Sequence, residues 1–171
     1  MRNLELKYCC DDLTPLRERA QALGARDAGV LQQHDAFFQA PLGRLKLRDF
    51  GDGHGELIAY RRADAVEARS SDYLLAPTTD PAALREALGF ALGSAGEVRK
   101  RRHLFLWQHT RIHLDEVQDL GSFVELETVI REQSEADAQR ELAQVVEALA
   151  LRAEDRLAPA YVDLIRARHS G

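Results

Sequence analysis

Hydrophobic and polar residues alternate along the first ten residues of the chain. Leu4, Leu6 and Tyr8 occupy one set of alternate positions, and Glu5 and Lys7 occupy the other. A period of two is the pattern of a β-strand, because successive side chains of a strand point to opposite faces. Strand-like runs follow at residues 30–40, 44–50, 56–62, 71–79, 96–108, 111–117 and 122–130.

Apolar residues at helical spacing predict helices over residues 14–23, 81–92, 134–151 and 159–167. Thr14 is expected to cap the first helix and Gly24 to end it, and Asp80 is expected to cap the second helix. Ser134, with Asp137 three residues later, has the pattern of a capping box for the third helix. The pattern therefore predicts a single α+β domain over residues 1–171, with seven or eight strands and three or four helices.

Composition and charge limit the classes to which the protein can belong. The 171 residues are 45% hydrophobic and 30% charged, with a formal net charge of −5, as in a folded, soluble domain. No apolar run is long enough for a membrane helix, and the first residues lack the apolar stretch of a signal peptide. Cys9 and Cys10 are adjacent and poorly placed to pair. These features predict a cytoplasmic protein with neither a membrane nor a nucleic acid as its partner.

Ionisable side chains are sorted onto one face of several predicted strands. Seven of them are cationic and four are anionic: Lys7, Lys46, Arg48, Arg62, Lys100, Arg102 and Arg111, with Glu5, Asp115, Glu125 and Glu127. For a single strand, a solvated face of a one-sided sheet explains this pattern equally well. If the strands close into a barrel with these faces inward, the interior is a cationic channel with an acidic cluster.

Such an interior requires ligands that neutralise its charges. A polyphosphate satisfies basic groups, and a divalent cation satisfies carboxylates. Without them, the desolvation of so many charges is costly. The sequence thus predicts a polyanion and a metal ion inside the barrel.

Several motifs carry a family resemblance. Residues 3–7, Asn-Leu-Glu-Leu-Lys, resemble the Glu-x-Glu-x-Lys signature of the CYTH domain, also called the triphosphate tunnel metalloenzyme superfamily. The similarity continues in order through residues 33–38, 43–48, 56–60, 98–102, 111–117, 120–127 and 161–165. Class IV adenylyl cyclases and thiamine triphosphatases are members of this superfamily.

The resemblance implies a fold and a set of functional residues. The fold is an eight-stranded antiparallel β-barrel, the triphosphate tunnel, with flanking α-helices. Mg²⁺ or Mn²⁺ is expected at Glu5, Asp115, Glu125 and Glu127. The triphosphate is expected at Lys46, Arg48, Arg62, Lys100, Arg102, Arg111 and His113. Glu5 or Lys7 is the candidate catalytic residue that orients the attacking water, and a homodimer is a candidate assembly because relatives often dimerise.

The reaction stays open at the level of the sequence. Hydrolysis of a nucleoside, thiamine or inorganic triphosphate is the first expectation, and the alternatives are cyclisation of ATP to cyclic AMP and pyrophosphate, or binding without turnover. Two residues depart from the family pattern: Asn3 replaces the first Glu of the signature, and Ile58 stands where several members have a tunnel lysine. Asn3 offers a metal only a neutral oxygen, so weaker metal binding is expected.

Overall fold

The computed structural model describes residues 2–62 and 69–169, which contain eight strands and four α-helices. The strands are β1 (Arg2–Cys10), β2 (Arg26–Phe38), β3 (Arg44–Asp49), β4 (Gly55–Arg62), β5 (Arg69–Thr78), β6 (Ser94–Trp107), β7 (Thr110–Val117) and β8 (Gly121–Ile130). The helices are α1 (Thr14–Ala22), α2 (Pro81–Leu92), α3 (Glu135–Ala148) and α4 (Tyr161–His169). No helix in these residues is both long and apolar enough to cross a membrane.

The strands form a closed antiparallel barrel in the order β1-β5-β4-β3-β2-β6-β7-β8. Closure depends on β1, which pairs with β5 on one side and with β8 on the other. In the β1–β8 register, Glu5 lies opposite Glu127 and Lys7 lies opposite Glu125. The predicted eight-stranded barrel with flanking helices is confirmed, and its closure brings the two ends of the strand sequence together.

The barrel is buried on both faces along β1, β7 and β8. Apolar side chains on the outer face of these strands pack against α1 and α3 in the largest hydrophobic cluster, which includes Leu4, Leu6, Tyr8, Ile112, Val124, Leu126, Leu142 and Val145. The alternate, charged residues point inward, where Lys7 of β1 is 3% exposed and Asp115 of β7 is 0% exposed. The one-sided sheet with a solvated polar face is therefore wrong for these strands.

Helix caps follow the sequence in two of three cases. Asp80 caps α2 by accepting a hydrogen bond from the amide of Ala83, and Ser134 caps α3 by accepting one from the amide of Asp137. The predicted cap at Thr14 is wrong. Asp12 accepts the hydrogen bond of the Thr14 amide instead, at 2.8 Å, so the turn before α1 supplies the acceptor.

Strand β2 begins four residues earlier than predicted. A bulge between Asp27 and Val30 shifts its register against β6. Gly29 adopts a φ of 91° there, and its amide donates to the Asp27 carboxylate at 2.8 Å. The extra residue interrupts the alternation of polar and apolar positions, so the pattern hides the first part of the strand.

Candidate functional site

The barrel encloses a cavity of about 150 Å³. Six cationic and five anionic side chains line it: Lys7, Lys46, Arg48, Lys100, Arg102 and Arg111, with Glu5, Asp35, Glu56, Glu125 and Glu127. The sequence predicted a larger positive excess because it left Asp35 and Glu56 out of the set. The interior is thus densely charged and nearly balanced among the described residues.

Asp35 on β2 is the centre of the first group of charges. Its carboxylate contacts Lys46 Nζ at 2.9 Å and accepts two hydrogen bonds from Arg48, at 2.8 and 2.9 Å. Lys100 Nζ lies 3.9 Å away. Burial opposes ionisation of Asp35, but the three cations outweigh it and hold its pKa well below the usual range. Asp35 is therefore the counterion of three predicted phosphate-binding residues.

Arg102 on β6 is the centre of the second group. It donates to both oxygens of Asp115, at 2.7 and 2.6 Å, and to Glu125 at 2.5 Å. Asp115 is fully buried and also accepts a hydrogen bond from the Tyr161 hydroxyl at 3.0 Å. Asp115 lies outside the cavity lining, and both its oxygens already have protein donors. The geometry favours a positioning role for Asp115, which orients Arg102, over the metal-ligand role expected from the sequence.

Lys7 on β1 connects the barrel wall to α4. Its ammonium lies 3.1 Å from Glu125 Oε1 and donates to the carbonyl of Pro159 at 3.0 Å. The same nitrogen is 3.9 Å from the centroid of the Tyr161 ring, and Lys100 Nζ is 5.2 Å from that centroid. Tyr161, the first residue of α4, thus stands between two cationic side chains of the cavity.

Three side chains that could bind a metal, one histidine and two glutamates, meet where β7 and β8 pair. Ligand atoms of His113, Glu125 and Glu127 all lie within 4.8 Å of one another. Burial and the charge of Arg102 lower the pKa of His113 well below its ordinary value, so the imidazole is neutral. Its Nδ1 has no hydrogen-bond partner among the described residues. Glu5, opposite Glu127 across the β1–β8 pair, lines the cavity beside them.

Asn3 also lines the cavity, two positions before Glu5 on the same face of β1. With the amide nitrogen facing the nearby acceptors, Asn3 donates to Glu5 Oε1 at 3.1 Å and to the Ser71 carbonyl at 3.3 Å. A glutamate could not make these hydrogen bonds without a proton. Asn3 therefore supports one carboxylate of the acidic group where the family signature has a second one.

Burial gives Lys100 an unusual charge state. Desolvation, reinforced by the charge of Arg102, lowers its pKa to about 7, although Asp115 and Asp35 oppose the shift. Lys46 is affected in the same direction, because burial and Arg48 lower its pKa. Lys100 thus changes its protonation near neutral pH and responds to any added negative charge in the cavity.

The structure brings together most of the site residues predicted from the sequence. Glu5, Lys7, Lys46, Arg48, Lys100, Arg102, Arg111, Glu125 and Glu127 all line the cavity. His113 and Asp115 lie behind this lining, and the side chain of Arg62 lies outside the described residues. Ile58, which replaces a family lysine, is part of the wall.

The lining residues that the sequence pattern did not reveal include Asp35, Glu56 and Tyr73. A signal for Asp35 was present, because it shares its strand face with Phe37 while Ala36 and Phe38 form an apolar opposite face. A lone carboxylate at an inward position of such a strand requires a cationic partner. Tyr161 belongs to the cavity as well, although the sequence analysis treated it only as part of the last helix.

Comparison with models of known protein families shows the family of this chain. The sequence matches the family model of the CYTH domain over residues 1–161. The chain belongs to the CYTH family. A search of curated protein sequences finds no match.

Solved structures show the same CYTH fold. The PH1012 protein of Pyrococcus horikoshii is 21% identical, with a TM-score of 0.85 over 95% of this chain and 98% of its own. A candidate adenylate cyclase from Vibrio parahaemolyticus is 17% identical, with a TM-score of 0.76 over 96% and 97% of the two chains. HpAC1 of Hippeastrum, a candidate adenylyl cyclase described as having a dominant triphosphatase activity, is 13% identical, with a TM-score of 0.70 over 98% and 95%. Similarity at this level establishes the fold of the CYTH domain.

Proposed function

We propose that this CYTH protein is a metal-dependent triphosphatase that binds a triphosphate inside the barrel and hydrolyses a phosphoanhydride bond. The observation that carries the proposal is the convergence of six cationic side chains in one cavity that also holds the carboxylates of Glu5, Glu125 and Glu127. Membership of the CYTH family and the triphosphatase activity described for HpAC1 support it.

Triphosphate binding follows from how the cations are held. Lys46, Arg48 and Arg102 are each paired with an internal carboxylate, so their side chains are fixed inside the cavity before any ligand arrives. A phosphate group bound in the cavity replaces some of the carboxylate partners of these cations and accepts charge-assisted hydrogen bonds from them. Because the arginine forks are preorganised, little side-chain freedom is lost when the phosphate binds.

The residues present fit a divalent cation. Glu125 and Glu127 supply carboxylate oxygens, Glu5 lies next to Glu127, and the neutral His113 presents a buried nitrogen without a hydrogen-bond partner in the described part of the chain. Oxygen ligands suit Mg²⁺, and a mixed oxygen and nitrogen set also suits Mn²⁺. When bound, the cation supplies neutralisation of charge on the phosphate oxygens.

The chain's own residues then have defined tasks in hydrolysis. Water forms a bond to the terminal phosphorus, the bridging P–O bond breaks, and the diphosphate portion leaves with the bond electrons. We assign the orientation of the water to Glu5, whose carboxylate is held by Asn3 within the cavity. Lys7 donates to Pro159 and pairs with Glu125, which is the arrangement of a charged ammonium, so its task is to stabilise phosphate charge.

A substrate panel tests the proposal. The protein is incubated with ATP, thiamine triphosphate or inorganic triphosphate, with Mg²⁺, Mn²⁺ or EDTA, and orthophosphate, pyrophosphate and cyclic AMP are quantified separately. Metal-dependent release of orthophosphate is the expected result. Pyrophosphate with cyclic AMP assigns a cyclase instead, and binding without any product assigns a binding module. Either of these two outcomes contradicts hydrolysis.

A further inference from the structure

The two halves of the cavity wall differ in chemistry. Strands β1, β3, β6 and β7 contribute every described cationic side chain of the lining, and β2 and β8 contribute the carboxylates Asp35, Glu125 and Glu127. Strands β4 and β5 contribute Ile58, Tyr60, Ser71, Tyr73 and Leu75, and the single charged lining residue described on them is Glu56. The side chain of Arg62 lies outside the described residues. The described wall from β4 and β5 is therefore mainly apolar and aromatic.

Tyr60 and Tyr73 form the centre of this wall. They are direct cross-strand partners in the antiparallel β4–β5 register, and both line the cavity. Side chains in such a pair start from Cβ atoms about 4.5–5.5 Å apart. Tyr60 and Tyr73 are thus neighbouring side chains on one side of the cavity, and together they are called the tyrosine pair below.

The tyrosine pair adjoins the phosphate-binding groups. Lys46 Nζ lies 5.8 Å from the centroid of the Tyr60 ring and 2.9 Å from Asp35. Arg111 donates to the Tyr73 hydroxyl at 3.3 Å, and its Nε lies 3.2 Å from Glu127. A molecule whose phosphates contact Lys46 and Arg111 therefore lies next to the tyrosine pair.

We infer that the triphosphate substrate carries an aromatic heterocycle that stacks on Tyr60 and Tyr73. This inference rests on the proposed function and selects, among triphosphates, the organic ones. An inorganic triphosphate carries charge at both ends and gains nothing from a wall of Ile58, Leu75 and two phenol rings. A flat heterocycle gains contact with the rings and removes apolar surface from water.

The source of the heterocycle is a question for the experiment, because a purine base and the pyrimidine and thiazolium rings of thiamine share this stacking chemistry. Binding of ATP, thiamine triphosphate and inorganic triphosphate is measured by calorimetry in EDTA, which prevents metal-dependent turnover. We expect at least one organic triphosphate to bind the unmodified protein at least tenfold more tightly than inorganic triphosphate. The tighter of the two organic ligands identifies the source.

Substitutions of the two tyrosines test whether they cause the preference for an organic triphosphate. Tyr60→Leu and Tyr73→Leu are expected to weaken the preferred organic triphosphate at least tenfold and inorganic triphosphate less than threefold. Tyr73→Phe, which keeps the ring, should retain most of the affinity for the organic ligand. Phe90→Leu is the matched control, because Phe90 is an aromatic residue that is 96% exposed on α2 and does not line the cavity.

Two results overturn the inference while the proposed function stands. One is that inorganic triphosphate binds the unmodified protein as tightly as both organic ligands, a comparison that needs no variant to fold. The other is that folded leucine variants lose affinity equally for all three ligands. If none of the three ligands binds, the proposed function fails, and the inference fails with it.

Discussion

Asp35 accepts two parallel hydrogen bonds from Arg48, and this pair lies inside the barrel with Lys46 and Lys100 around the same carboxylate. The protein thus carries its own counterions for the cations that we assign to phosphate. Removing one partner of a buried ion pair leaves an uncompensated charge, which costs much more than the pair itself contributes. Asp35 consequently stabilises the ligand-free barrel by neutralising these cations, and a triphosphate that binds there neutralises part of the same charge.

Asp35→Asn is therefore expected to destabilise the ligand-free protein by about 3 kcal/mol, because three buried cations lose their counterion. For a domain of this size the midpoint of thermal unfolding falls by about 6–12 °C. Inorganic triphosphate should raise that midpoint more in the variant than in the unmodified protein. Asp52→Asn, in the exposed turn between β3 and β4, is the control. An unchanged midpoint for Asp35→Asn would show that the cations need no internal counterion.

Glu127→Gln tests the metal ligands. The substitution keeps the volume of the side chain and removes a charge from the group formed with His113 and Glu125. Metal-dependent turnover at limiting Mg²⁺ should fall by at least about 100-fold, the upper end of the loss seen when a group that supports a metal ligand is removed. Glu116→Gln is the matched control, because Glu116 pairs with Arg101 on the exposed outer face. Equal turnover in both folded variants contradicts the assignment.

Asn3→Glu tests the departure from the family signature. The new carboxylate replaces an amide that donates to Glu5 at 3.1 Å, so it brings two negative charges together and should lower the unfolding midpoint of the metal-free protein. A divalent cation relieves this repulsion, so binding of Mn²⁺ should strengthen relative to the parent. Calorimetry and thermal unfolding with and without Mn²⁺ measure both effects. If neither changes in the folded variant, Asn3 lies outside the metal site.

The lowered pKa of Lys100 predicts that the affinity for a triphosphate depends on pH. Its pKa of about 7 lies far below the ordinary lysine value of 10.5. Between these values the unfolded chain binds more protons than the folded one, so this group makes the stability of the ligand-free protein rise with pH. A bound polyanion favours the ammonium, so affinity should fall as the pH rises above 7. Calorimetry in two buffers of different ionisation enthalpy should detect proton uptake at pH 8.

Lys100→Arg provides the comparison, because a guanidinium stays charged throughout this range. The affinity of the Lys100→Arg variant for inorganic triphosphate should vary less between pH 7 and pH 9 than the affinity of the unmodified protein. Binding to the variant should also take up fewer protons. An identical pH profile in the parent and in Lys100→Arg would assign the dependence to another group.

The strands and the faces of the barrel were predictable from alternation alone. Glu5 and Lys7 alternate with Leu4 and Leu6, and the same rule placed Lys46, Arg48, Lys100 and Arg102 inside. Alternation works best for β1, β7 and β8, because the outer faces of these strands are mainly apolar and pack under α1 and α3, which fixes which residues turn inward. The eight-stranded antiparallel barrel was implied by the family resemblance, and the order of its strands came only from the structure.

The partners of the inward residues could not be predicted in this way. Arg102 and Asp115 face each other across the β6–β7 pair, but their register depends on where the turn at Gln108 falls. Asp35 meets Lys100 across β2 and β6, strands separated by three others in sequence. Periodicity gives the direction of a side chain and no information on which distant strand it meets. Asp115 was therefore grouped with the metal ligands, whereas the structure joins it to Arg102 and Tyr161.

The pairing of β1 with β8 also has a consequence for biosynthesis. The first strand of the barrel hydrogen-bonds to its last strand, so Glu5 and Lys7 meet Glu127 and Glu125 only after the whole β8 segment has left the ribosomal exit tunnel. Contacts between such distant parts of a chain form late and slowly. During translation, β1 therefore has an unpaired edge, and the charged side chains that the barrel later buries are exposed to water. A chaperone can bind a strand in this state. The group of charges formed by Glu5, Lys7, Glu125 and Glu127 therefore cannot assemble before the last strand of the barrel has been made.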